Sequence, residues 1–181
     1  MPATGTPTQA QRTWEAADVM ALLANIPDPE IPVTNLRELG VLREVRRTGS
    51  SFEVVITPTY SGCPAIAQME DDIRAALASH QISATITTRL APAWTTDWLS
   101  PATLEKLRRY GIAPPATGSA RGEASVIQFG ATRSSTREPD VRCPRCDSIN
   151  TTPTSHFGST ACKALYRCLD CMEPFDYFKP Y

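Results

Sequence analysis

Ile82, Ala84, Ile86, Thr88 and Leu90 alternate with Ser83, Thr85, Thr87 and Arg89, the period-two pattern of a strand over 82–90. Ile66, Met69, Ile73 and Leu77 recur at helical spacing. Gln68, Glu70, Asp71, Asp72 and Arg74 fill the other faces, so 64–79 is predicted to be a helix with one buried stripe. Trp14, Ala17, Val19, Leu22 and Leu23 predict an earlier helix over 14–24, stopped by Pro27. Leu39, Val41 and Val45 mark a strand within 35–47. Phe52, Val54 and Ile56 mark another over 52–57, and the turn Thr48-Gly49-Ser50 makes the two a hairpin. Ser100 as N-cap, Pro101 at the first helical position and Gly111 at the end bound a helix over 101–110.

The order helix, strand, strand, helix, strand describes a small α/β domain of the α+β type, trailed by a helix. Composition divides the rest. Residues 112–124 are rich in Pro, Gly, Ala and Ser, and 125–129 read as one short strand. The expected organisation is a disordered tail at 1–12, the α/β domain with its trailing helix at 13–111, a linker at 112–138 and a cysteine-bearing module at 139–181.

Charge and histidine count exclude several functions. Lys and Arg total 18 against 19 Asp and Glu. Residues 112–181 carry 8 basic and 7 acidic side chains, a net of +1, and residues 1–111 carry 10 and 12, a net of −2. Neither half has the basic footprint of a nucleic-acid binder, so a DNA-binding ribbon protein is the weaker alternative. Only His80 and His156 are present and neither completes a Glu-x-x-His motif, so a di-iron bundle is not expected, and no G-x-G-x-x-G occurs. The longest uncharged run, 54–69, is broken by Pro58, Gly62 and Pro64, so no membrane span is expected. Residues 1–11 lack an apolar core of the signal-peptide kind, which predicts a cytoplasmic protein.

Four of the six cysteines fall in the spacing C-x2-C-x21-C-x2-C: Cys143, Cys146, Cys168 and Cys171. Two such knuckles predict a closed tetrahedral site for structural zinc, one ion per chain, with iron the alternative metal. So short a module buries little, so the ion is expected to supply its folding energy while the α/β domain stands without it. Cys162 reads as a small buried thiol rather than a fifth ligand. Phe175, Tyr177, Phe178 and Tyr181 read equally as packing rings or as a docking surface.

Cys63 stands between a predicted strand and a helix beginning at Pro64. Such a position lowers a thiol pKa. Thr59 and its neighbours surround it with hydroxyls, and Asp28 and Glu30 occupy a stiff loop containing Pro27, Pro29 and Pro32. The residues alone allow either a metal-binding or nucleophilic thiolate or a packed thiol; no local histidine serves as a base.

The motifs Asp28-Pro29-Glu30-Ile31-Pro32, Leu39-Gly40-Val41 and Thr57-Pro58-Thr59-Tyr60-Ser61-Gly62-Cys63-Pro64-Ala65 resemble those of the SufT/MIP-type iron–sulfur assembly family. Together with the stretch from Phe157-Gly158-Ser159-Thr160-Ala161-Cys162-Lys163 to Cys168, they resemble the D-subunit family of bacterial phenylacetyl-CoA epoxidase (phenylacetate-CoA oxygenase) systems. The resemblance covers nearly all of 14–179. It implies a non-catalytic accessory subunit that helps mature or maintain an iron–sulfur or di-iron centre in aerobic phenylacetate catabolism. The implied partners are the oxygenase subunits, the iron–sulfur flavin reductase subunit or both, and the functional loop positions are Asp28, Glu30, Thr59 and Cys63. A transient iron–sulfur cluster, a homo-oligomer and a general assembly role remain open under this reading.

Overall fold

The computed structural model describes residues 13–115 and 140–181. The expected tail at 1–12, most of the expected linker and the strand expected at 125–129 lie outside the described residues. Helix α1 spans Ala16–Leu23. Glu15 caps it through a reciprocal capping box with Asp18, and Val19 and Leu23 are its buried positions. Strands β1 (Leu42–Thr48) and β2 (Ser51–Ile56) form the antiparallel hairpin, with Thr48 opposite Ser51. Helix α2 (Ile66–Ser79) crosses over to β3 (Ala84–Thr88), which runs parallel to β2. Met69, Ile73 and Leu77 face the sheet as their spacing requires.

Three details depart from the sequence pattern. Leu39 and Val41 lie before β1, so only Val45 of the expected alternating set belongs to the strand. The helix begins at Ile66 with Ala65 as N-cap, so Pro64 precedes the helix and is not its first residue. Strand β3 is the sheet edge, and only Ile82 of its alternating set is buried; Leu90 is exposed. An edge strand covers one flank only, so alternation reports a face without the depth of its burial.

Trp94 closes the core, its indole N–H donating to the Leu39 carbonyl at 2.8 Å. Next to it Gly40 adopts φ +69°, and a Cβ there would lie 3.3 Å from that of Trp98. The turn into β1 therefore needs glycine for both conformation and space. Helix α3 (Pro101–Tyr110) carries its expected caps: Ser100 accepts from the Thr103 N–H, and Gly111 is left-handed at φ 98°.

The second sheet has four strands among the described residues. Strands β5 (Thr151–Ser155), β6 (Lys163–Cys168) and β7 (Pro174–Phe178) belong to the cysteine module. Strand β4 (Ile112–Ala113) pairs in parallel with Asp176 and Tyr177, so the first two positions of the expected linker belong to this sheet. Phe178 is fully buried and joins the α/β core, while Phe175 and Tyr177 pack the core of the second sheet. Tyr181 is half-buried, its hydroxyl donating to the Ala161 carbonyl. These rings hold the molecule together, which removes the docking-surface alternative for them.

Candidate functional site

The two C-x-x-C knuckles are built alike. In the first, the Asp147 N–H donates to the Cys143 carbonyl and the Cys143 N–H to the Ser148 carbonyl, both at 2.9 Å. In the second, the Cys168 N–H donates to the Glu173 carbonyl at 3.0 Å. Each knuckle ends in a left-handed residue, Asp147 at φ 64° and Met172 at φ 66°. Asp170, inside the second knuckle, accepts from Ser148 and Asn150 behind the first, which fixes one against the other.

The four sulfurs lie within 4.8 Å of one another, with Cys143 to Cys171 at 3.7 Å and Cys146 to Cys168 at 3.5 Å. A zinc ion with bonds of about 2.3 Å sets tetrahedral sulfur separations near ~3.8 Å, so the residues fit such an ion. Backbone N–H donation, from Cys171 foremost, lowers the Cys168 thiol to about 7, while Cys146 beside it is pushed up to about 12, so the two sulfurs share one proton. Cys162 stands outside this group.

A second constellation lies where the modules meet. The loop around Asp28 is closed by backbone bonds from Asp28 N–H to Thr34 carbonyl and Thr34 N–H to Ile31 carbonyl. Within it Asp28 Oδ1 accepts from the Glu30 N–H at 2.9 Å and the Ile31 N–H at 2.7 Å. This carboxyl is only 3% exposed, and burial pushes its pKa above the ordinary value. Asp28, Glu30, Thr59, Tyr60 and Cys63 line one cleft, so the structure brings together all four loop residues singled out by the sequence. Its cavity volume is about 20 Å³, room for a water or a single ion.

Cys63 departs from its expected ionisation. Burial pushes the thiol pKa up, outweighing the lowering by the Ala65 N–H that donates to it. The anticipated helix-start effect is present, but desolvation and the neighbouring anionic groups exceed it. The opposite wall of the cleft comes from the cysteine module, through Thr160, Ala161, Cys162 and Phe178. Sequence reasoning read Cys162 as a packing thiol. Its standing apart from both C-x-x-C pairs, inside a motif shared with the D-subunit family, was the available signal.

Asp28 gives a pH-dependent prediction. Its folded pKa lies above the unfolded one, so its contribution to stability is complete below the ordinary value of 3.8 and is lost as pH rises through the raised value. Asp28→Asn retains the Oδ1 acceptor and removes the buried charge. Denaturant titrations should find the variant more stable than wild type at neutral pH, the difference closing as pH falls. A constant difference across pH would contradict the burial argument.

Comparison with known proteins follows the division into modules. Residues 16–87 match the family model described as iron–sulfur cluster assembly protein, and residues 127–179 match that described as PaaD zinc beta ribbon domain. The chain is 47% identical over 178 residues, 98% of its length and 96% of the relative's, to the Escherichia coli (strain K12) protein named as the putative D-subunit of 1,2-phenylacetyl-CoA epoxidase. Among solved structures, it is similar to the domain of unknown function DUF59 from Bacillus anthracis, at TM-score 0.45 and 21% identity, over 49% of this chain and 86% of that one. It is also similar to a conserved hypothetical protein from Thermotoga maritima, at TM-score 0.43 and 22% identity, over 55% and 98%.

Proposed function

The chain belongs to the D-subunit family of 1,2-phenylacetyl-CoA epoxidases, and from that premise we propose that it is a non-catalytic accessory protein of a phenylacetyl-CoA ring 1,2-epoxidase. It assists the assembly or upkeep of a metal centre in that system, with the oxygenase subunits or the iron–sulfur flavin reductase as its partners in the cytoplasm. The observation that carries this reading is the cleft in which Asp28, Glu30, Thr59 and Cys63 converge. Two carboxylates and a thiol suit the handling of iron or an iron–sulfur fragment as cargo. Among the described residues no histidine lines the cleft to act as a base, which argues against a thiol enzyme.

The ribbon has a separate task. Cys143, Cys146, Cys168 and Cys171 hold one zinc ion per chain. All four positions are thiolates, which leaves no open position for chemistry and makes the ion structural.

The test is complementation. A Cys63→Ala protein should fold, retain its zinc and fail to restore phenylacetyl-CoA epoxidation in a strain lacking the wild-type gene. Full restoration would reduce Cys63 to a packing residue, and a protein that fails to fold would make its role structural. A general assembly role is separated in the same strain, because it would also lower the activity of unrelated iron–sulfur enzymes.

A further inference from the structure

Cys63 comes from the loop before α2 and Cys162 from the loop before β6, yet both face one cavity whose base includes Asp28. Asp28 contributes a carboxyl that is buried on the assembly-domain side, and both of its hydrogen bonds end on Oδ1. Oδ2 has no hydrogen-bond partner among the described residues. Cys162 Sγ lies 3.0 Å from the Thr160 hydroxyl, which orients it on its own loop. Glu30 adds a second carboxylate to the same lining. Lys163, whose charge reaches both Asp28 and Cys162, is outside the lining, buried and engaged with Asp176 at 3.1 Å. Two thiols and two carboxyls therefore surround a small cavity with no cation in its lining among the described residues.

Such a group is stable in two ways: protonated, or around a positive ion. We propose that Cys63 and Cys162, with Asp28 Oδ2, form a second metal site between the two modules, taking a thiophilic divalent cation such as Fe2+. The donor set mixes soft sulfur and hard oxygen, which suits the borderline ions and disfavours Mg2+ and Ca2+. Binding releases the two thiol protons to solvent as the two metal–sulfur bonds form, so the two thiolates neutralise the dication, and Asp28 Oδ2 adds an oxygen lone pair as the third ligand. The cavity of about 20 Å³ admits one ion, whereas a preformed cluster needs the walls to part. Among the described residues only the ribbon cysteines form a group of three or more ligands within 4.8 Å. Closing on the ion thus requires the two walls of the cleft to draw together, so occupancy couples the ribbon to the assembly domain.

This inference rests on the cleft as a metal-handling site and adds the ribbon's thiol to it. The probe is Co2+, added without oxygen to the full-length zinc-loaded protein, with zinc retention followed in parallel. Wild type should take up one Co2+ beyond its zinc and show a thiolate-to-cobalt charge-transfer band. Cys162→Ser and Cys63→Ser should each weaken that uptake by at least about tenfold, the effect of disturbing even the outer groups of a metal site, with zinc content unchanged. Asp28→Asn should weaken it while leaving the sulfur band in place. Unchanged uptake by Cys162→Ser overturns the inference and leaves the role of Cys63 to the complementation test. Binding that occurs only by expelling zinc, or no cobalt band in wild type, overturns it as well. Should Cys162→Ser lose its fold, Cys162→Ala serves in its place under the same criteria.

Discussion

Replacing Cys168 with serine is expected to abolish metal binding in the ribbon and unfold residues 140–181. Cys168 and Cys143 are fully buried in a module whose core consists otherwise of a few residues around Tyr166, Phe175 and Tyr177. Structural zinc in such small modules contributes an apparent ~10–16 kcal/mol at neutral pH, more than the whole stability of most domains. The sequence leads to the expectation that the α/β domain survives this loss untouched. The packing predicts otherwise, because β7 delivers Phe178 into the α/β core and the Thr96 N–H donates to the Tyr181 carbonyl. Zinc content and amide exchange measured on one sample decide the matter. Loss of zinc with fast exchange in the ribbon, accompanied by weakened protection around Trp94 and Leu39, is the expected outcome. Protection around Trp94 at the wild-type level would show that the two modules are energetically independent.

Phe178→Ala should destabilise both modules together by about 3–5 kcal/mol, the usual cost of emptying a buried phenylalanine site. Phe178 is 0% exposed, with its ring centroid 5.8 Å from that of Trp94. It also lines the cleft beside Leu39 and Cys63. The measurement is a denaturant titration read by Trp fluorescence for the α/β domain and by zinc release for the ribbon. A shared fall in midpoint is expected. A fall in zinc retention alone would confine Phe178 to its own module.

Much of this architecture was written in local patterns. The hairpin, the stripe on α2, both caps of α3 and the cysteine knuckles each depend on residues close together in the chain, and each stands where those residues place it. Asp147 fits the left-handed turn that closes the first knuckle, since aspartate tolerates the φ of 64° found there. What escaped depends on distant partners. Ile112 and Ala113 look like linker because a two-residue parallel strand has no pattern of its own. The ionisation of Cys63 turned on burial supplied partly by the other module. Cys162 faces the cleft because the ribbon packs against the assembly domain, and its place apart from the C-x-x-C pairs was the one local sign of it.

The pairing of β4 with β7 also sets an order of events during synthesis. Ile112 bonds to a strand whose residues emerge from the ribosome about 60 residues later, a delay of about 3–12 s at ordinary elongation rates. Throughout that interval the nascent α/β domain lacks Phe178, and the apolar surface around Trp94 and Leu39 waits uncovered. The cleft therefore gains its second wall only after residues 160–178 have been made, well after the assembly-domain wall that faces them.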